Sequence, residues 1–178
     1  MAINLLLESH LKALGLRAFR ENYHKLADEA AQSNLGYERF LLALAEQEMA
    51  LRAANRRTRL IQQARLPMLK ELPDFDFSCL PDFRTRDLLQ LADNLSFIDR
   101  NEPILMIGNP GLGKTHLAIS LALAACRQGD KVRFFNTAAL VNELIQAQDE
   151  HRLSKFIASL LKHRLICLLY TSPSPRDR

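Results

Sequence analysis

Residues 108–115, Gly-Asn-Pro-Gly-Leu-Gly-Lys-Thr, satisfy the spacing GxxxxGK[ST]. Gly108, Gly111 and Gly113 allow backbone angles and close approaches that a Cβ would forbid. Successive loop amides can then turn inward around an anion, aided by the positive end of a following helix. In such a loop Lys114 reaches the β- and γ-phosphates of a nucleotide, and the Thr115 hydroxyl ligates Mg²⁺. Gly108, Asn109, Pro110, Gly111, Leu112, Gly113, Lys114, Thr115 and the adjacent His116 are therefore the candidate nucleotide site, with ATP and Mg²⁺ as expected cofactors and Lys114 as candidate catalytic residue. The bland alternative is a glycine-rich strand-to-helix turn with an exposed lysine. For His116 alone a structural role is the commoner one. At average glycine usage the pattern arises by chance in roughly 1 in 100 chains of this length.

Hydrolysis asks for more than binding. An Asp at the end of a neighbouring strand holds the Mg²⁺ shell, and a carboxylate beside it orients the attacking water. The natural place is after the apolar run Leu165–Leu169, where the chain offers Tyr170 and Thr171. Asp149 and Glu150 fall at a loop or helix start and Glu143 on a helix, so all three read as solvated surface. The chain is expected to bind ATP without hydrolysing it.

The elements that must carry this loop are legible from periodicity. Ile104–Ile107 reads as a strand running straight into the glycines, and Thr115–Gln128 as a long apolar helix stopped by Gly129. A second strand is expected at Lys131–Phe135, then a helix Ala138–Gln148 capped by Thr137, a helix Glu150–His163, and a third strand Leu165–Leu169. Upstream, one helix is expected from Asp87 to Ile98, with Leu88, Leu91, Leu95 and Ile98 on one side. Strands alternating with helices indicate a parallel α/β sheet.

The front of the chain differs. Residues 1–66 read as all helix: one ending near Gly15, a second carrying Leu16, Phe19, Tyr23 and Leu26, and a third from Gly36 to Pro67. Residues 67–86 form a linker, with Pro67, Pro73 and Pro81 breaking regular structure and Phe75, Phe77 and Phe83 packing on a domain surface. Residues 87–169 form the α/β part, and the Ser/Pro-rich 170–178 reads as a non-native end.

Charge separates the two parts. Residues 1–70 hold 11 Lys+Arg and 7 Asp+Glu, residues 71–178 hold 13 of each, and 49–70 contains six bases and no acid. On the third helix Arg52, Arg56 and Arg59 share one face, extended by Gln63. Such a stripe can follow the phosphates of double-stranded DNA, releasing counterions, against the plainer reading of a solvated helix face.

Other classes are excluded by composition. With 48% hydrophobic residues the chain is not disordered throughout. The longest apolar run, Leu117–Cys126, is half a bilayer span and carries Ser120, so no membrane partner is expected. Cys79, Cys126 and Cys167 form neither a CxxC nor a Cys/His ligand spacing, and a reducing cytoplasm fits them best.

Three stretches carry a family resemblance. The helical front ending in Glu48–Arg52 and Asn55–Arg57, then Phe75-Asp-Phe77, then GNPGLGKTHLA from Gly108 to Ala118, together resemble the IstB family of transposition helper ATPases. Ala124–Gly129 followed by Val132–Phe134 is similar to that family as well. The resemblance covers about residues 5–169, and the DnaC-type helicase loaders are close relatives with the same AAA+ core.

It implies an all-helical domain joined to an incomplete P-loop AAA+ domain, cut short at its C-terminal end. It further implies ATP-dependent homo-oligomerisation on DNA and recruitment of a transposase. The acidic pair after the third strand is absent, and the family's sensor residues and arginine finger would lie beyond the end. In that fold the loop-bearing strand pairs with later strands, so Ile104–Ile107 is expected to lack neighbours. A helicase-loader adaptor is the alternative. A small-molecule P-loop kinase is disfavoured by the basic helical front.

Overall fold

The computed structural model describes residues 2–79 and 84–170. The readings placed on Pro81, Phe83 and Thr171–Arg178 lie outside the described residues, as does any reading of the Cys79 side chain. The chain forms two compact units, Met1–Arg56 and Arg57–Arg178.

The first unit contains α1 (Ala2–Ala13), α2 (Arg17–Gln32) and the beginning of α3 (Tyr37–Ala64). Gly15 ends α1 as expected. At φ 67° it lets Leu16 N–H reach back to the Leu11 carbonyl at 2.9 Å, while its own N–H meets Lys12 at 3.1 Å. Asn34, at φ 50°, does the same after α2, with Leu35 N–H on the Ala30 carbonyl at 2.8 Å.

The start of α2 is closed from a distance. Leu16 precedes the helix and offers no capping side chain. The Glu48 carboxylate on α3, only 5% exposed, instead accepts the Ala18 N–H at 2.8 Å. Arg52 Nε donates to the other oxygen of Glu48 at 2.7 Å, and its guanidinium also reaches the Gly15 carbonyl at 3.4 Å. Burial pushes the Glu48 carboxyl up, but Arg52 and the amides of Ala18 and Phe19 together outweigh it and hold it below the usual carboxylate value.

The second unit is built on α6 (Lys114–Gln128), whose Leu117, Ile119, Leu121, Leu123 and Cys126 are all buried. It ends at Gly129, φ 102°, where Asp130 N–H returns to the Ala125 carbonyl at 3.0 Å. The last turns of α3 bring Leu60 and Ala64 into the same core.

The single helix expected at Asp87–Ile98 is two: α4 (Thr85–Asn94) and α5 (Ser96–Asp99). Leu95 breaks them apart in the left-handed region at φ 48°, and the Asn94 side chain takes the Ser96 N–H at 3.0 Å. A straight helix would set Phe97 about 200° around from Leu95. The break lets Leu95, Phe97 and Ile98 all enter the core.

β1 (Val132–Asn136) and β2 (Leu165–Leu169) pair in parallel, Val132 opposite Leu165 and Asn136 opposite Leu169. The crossover between them is α7 (Thr137–Asp149) and α8 (Leu153–Leu160). Two details differ from expectation. Asn136, not Thr137, caps α7, accepting Ala138 N–H at 3.0 Å and Ala139 N–H at 3.3 Å. Thr137 Oγ1 instead donates to the Leu169 carbonyl at 3.1 Å, tying the crossover to the end of β2. The helix expected at Glu150–His163 is shorter because His151, at φ 54°, separates α7 from α8.

One expected strand is missing. Ile104–Ile107 makes no ladder, and among the described residues the sheet has two strands. Without a neighbouring strand its amides and carbonyls have no lattice to join. Met106 packs inward beside Phe75 and Leu117. Leu105 is 83% and Ile107 91% exposed. On β2 the exposed residues are Ile166 and Leu168, so a strand type usually covered on both faces is open on one. No helix among the described residues is long and apolar enough to cross a membrane.

Two outcomes are expected. Replacing Glu48 by Ala strands the amides at the start of α2, and replacing Arg52 by Ala leaves a buried carboxylate without its counter-ion. Each should lower unfolding stability by roughly 1–3 kcal/mol, against no more than about 0.5 for Arg56→Ala, in urea titrations followed by helical circular dichroism. A depressed folded pKa contributes stability fully above the ordinary carboxylate value of 4.5 and loses it as pH falls through the folded value. The wild-type and Glu48→Gln curves should therefore converge on acidification. Separately, Leu105→Ser with Ile107→Ser should reduce light scattering at matched concentration while keeping the helical signal. Unchanged scattering would clear this segment as a source of self-association.

Candidate functional site

The glycine loop leads from the extended Ile104–Ile107 segment into the first turn of α6. Lys114, the first helical residue, folds back across it. Its Nζ donates to the Gly108 carbonyl at 2.8 Å and the Asn109 carbonyl at 2.7 Å. An ammonium has three donors, so these two bonds pin the entry of the loop and leave a third proton for an incoming anion.

Gly113 precedes α6 at φ 75°, and no side chain caps the helix there. The carbonyl of Gly113 accepts the Leu117 N–H at 3.0 Å, which starts the helical ladder. The first-turn amides stand at the positive end of a 15-residue helix, where negative charge is stabilised. Thr115 and Leu112 are half-buried, and Asn109 and Pro110 are exposed. At Gly111, φ 88°, a Cβ would meet nothing within 4 Å, so the space at the middle of the loop is open.

At Gly113 the opposite holds. A Cβ would lie 2.2 Å from Phe75 Cε2, so only glycine fits beneath that ring. Phe75 belongs to a segment laid along α6, with short 3₁₀ turns at Leu72–Asp74 and Phe77–Cys79. His116 Nε2 lies 2.8 Å from the Glu71 carbonyl. A carbonyl only accepts, so Nε2 carries the proton. The imidazole also meets Phe75 edge-on at 5.1 Å. Further along, Ser120 Oγ lies 3.1 Å from the Lys70 carbonyl, and Arg127 pairs with Glu71, whose carboxyl is held low by that guanidinium. A groove of about 460 Å³ runs between this segment, α4 and α6, and none of residues 108–115 lines it.

The remaining sequence-predicted groups are dispersed. Tyr170 follows β2 and is exposed, and Glu143, Asp149 and Glu150 are exposed as expected. Glu150 accepts from Gln146 at 2.7 Å and pairs with Arg152. Arg52 is engaged with Glu48, while Arg56 and Arg59 are exposed on α3. The absence of acids across 49–70 overlooked Glu48, one residue outside that window and four before Arg52. That i, i+4 spacing was the available signal. The contact of Phe75 with Gly113 had no local signal, since 38 positions separate them.

Two thiols sit in the core of this unit. Burial pushes Cys126 up to about 11 and Cys167 up to about 12. Among the described residues no group of three His, Cys, Asp or Glu could hold a metal ion.

The sequence has relatives among known proteins. A family model described as IstB-like ATP binding protein matches residues 9–170. The "Insertion sequence IS5376 putative ATP-binding protein" of Geobacillus stearothermophilus is 37% identical over 155 residues, covering 87% of this chain and 61% of that relative. The "Insertion sequence IS21 putative ATP-binding protein" of Pseudomonas aeruginosa is 34% identical over 172 residues, covering 97% of this chain and 64% of that relative. The chain thus spans less than two thirds of the length of either.

Proposed function

The chain belongs to the family of IstB-like ATP binding proteins, and from that premise we infer that it is the ATP-binding part of a helper of DNA transposition. The observation that carries the reading is the Lys114 ammonium, tied to the Gly108 and Asn109 carbonyls with one proton to spare at the uncapped start of α6. This donor set fits a polyphosphate. The backbone amides of the loop Gly108–Thr115, Pro110 excepted, would hold its oxygens together with Lys114, and the Thr115 hydroxyl would ligate the Mg²⁺ that accompanies the nucleotide. Bound Mg²⁺ supplies charge neutralisation on the phosphates.

Turnover is a separate matter. Where a carboxylate would complete the metal shell, the residue after β2 is Tyr170, which brings no carboxylate. The reading is therefore binding without hydrolysis by this chain. Arg56 and Arg59, exposed on a helix whose stretch 49–70 lacks acids, supply the contact to double-stranded DNA. The names of the relatives, insertion-sequence ATP-binding proteins, favour a transposase as the partner, and homo-oligomerisation on DNA is the working state that the family resemblance implies.

Calorimetric titration of the folded chain with Mg·ATP should give saturable binding that disappears in Lys114→Met, with no phosphate release above the variant. Absence of ATP affinity in well-folded wild-type protein would sink the nucleotide reading. In a salt series, Arg56→Glu should weaken DNA binding uniformly across sequences and lower the slope against log salt by about 1, while leaving ATP affinity as it was. A DNA affinity indifferent to both salt and this change would remove DNA as the partner of α3.

A further inference from the structure

The segment before α4 touches the glycine loop. Phe75 is 9% exposed and lies directly over the α-carbon of Gly113, the residue from which α6 starts. Three atoms of the ring would stand within 3.4 Å of any Cβ there. Gly113 is at φ 75°, a conformation that an adjoining ring can hold by excluding the alternatives. The ring is itself fixed: Leu88, Leu117 and Leu121 share its cluster, and Phe77 meets it edge-on at 4.8 Å.

The backbone behind Phe75 is fastened as well. Phe75 N–H closes the Leu72 turn at 3.1 Å. His116, Ser120 and Arg127 lie along one face of α6, spaced by four and seven residues, and hold Glu71 and Lys70 from below. Phe75 is thus the tip of a strap anchored along α6, pressed onto the one loop residue where a side chain has no room.

We propose that Phe75 is a positioning residue for the nucleotide site, acting through Gly113 to hold the loop and the first amides of α6 in the geometry that grips phosphate. The proposal rests on the nucleotide reading above and adds the strap to it. Phosphate-binding amides are useful only where they are already aimed, since a displacement of about 1 Å costs on the order of a hundredfold in well-oriented sites. Within the GxxxxGK[ST] pattern Lys114 pins only the entry of the loop, while the glycine at its exit belongs to the least restrained residue type of all. The restraint at Gly113 comes from outside the loop. It follows that the Lys70–Phe77 segment and the nucleotide feel each other: lifting the strap loosens the loop, and a bound triphosphate favours the strap being down.

The test uses the 178-residue chain, Mg·ATP as probe, and two readouts for every variant, ATP affinity and the nucleotide-free thermal midpoint. Phe75→Leu keeps apolar bulk in the cluster but removes the ring from Gly113. It should hold its midpoint near wild type and bind ATP about 10-fold more weakly. A ring that merely fills the core predicts instead that affinity follows the folded fraction, and wild-type affinity in Phe75→Leu overturns the proposal.

Gly113→Ala should weaken binding, and in a Phe75→Ala background the same change should weaken it less, because the new Cβ then has room. Additive losses in affinity would likewise overturn the proposal. If wild type itself binds no ATP, the nucleotide reading falls and the positioning role falls with it. If wild type binds and the two losses simply add, only the positioning role falls.

Discussion

The requirement that shapes the second unit is the covering of α6. This helix is apolar around most of its circumference, and each large side chain withdrawn from water contributes about 1.5–3 kcal/mol. A single partner could cover one stripe. Here β1 and β2 take one side, the last turns of α3 and the kinked pair α4 and α5 take another, and the segment from Lys70 to Phe77 closes a third. Because α6 is gripped on these sides, its N-terminus is held still, and that end is where the glycine loop delivers its amides. The loop geometry proposed to bind phosphate is thus maintained by packing that lies outside the loop.

Most of this architecture could be read from the chain. Helix stops at Gly15 and Gly129 were legible because left-handed glycines terminate helices by a local rule, and β2 was legible as a short apolar run between polar boundaries. What failed was decided by distant partners. Leu95 lies in a faultless 3.6-residue pattern, yet the core draws in Phe97 as well, and the helix breaks to allow it. Ile104–Ile107 has the composition of a strand, but a strand exists only by virtue of its neighbour. At the site, the glycine loop opening a helix was visible in the spacing. The ring above Gly113 was not, because spacing carries no information about what packs on a residue.

The basic front shows the same limit in electrostatic form. Counting charges along 49–70 suggested a row of free cations, whereas Arg52 neutralises a carboxylate that replaces the missing cap of α2. A charge whose partner lies one residue outside a window looks unpaired until the helix is built. All three arginines are exposed, but Arg52 also holds the helical unit together through Glu48 and so differs from Arg56 and Arg59.

Two cysteines, one buried and one partly buried, carry a quieter consequence. Cys126 on α6 and Cys167 on β2 belong to the same core, and burial lifts both thiols far above neutrality. Thiols react with oxidants and electrophiles as thiolates, so while helix and sheet stay together this core is chemically mute. For the Cys126 sulfur such chemistry belongs to the opened molecule, and an oxidised Cys126 would record a moment when the layer of β-structure had parted from the helix beneath it.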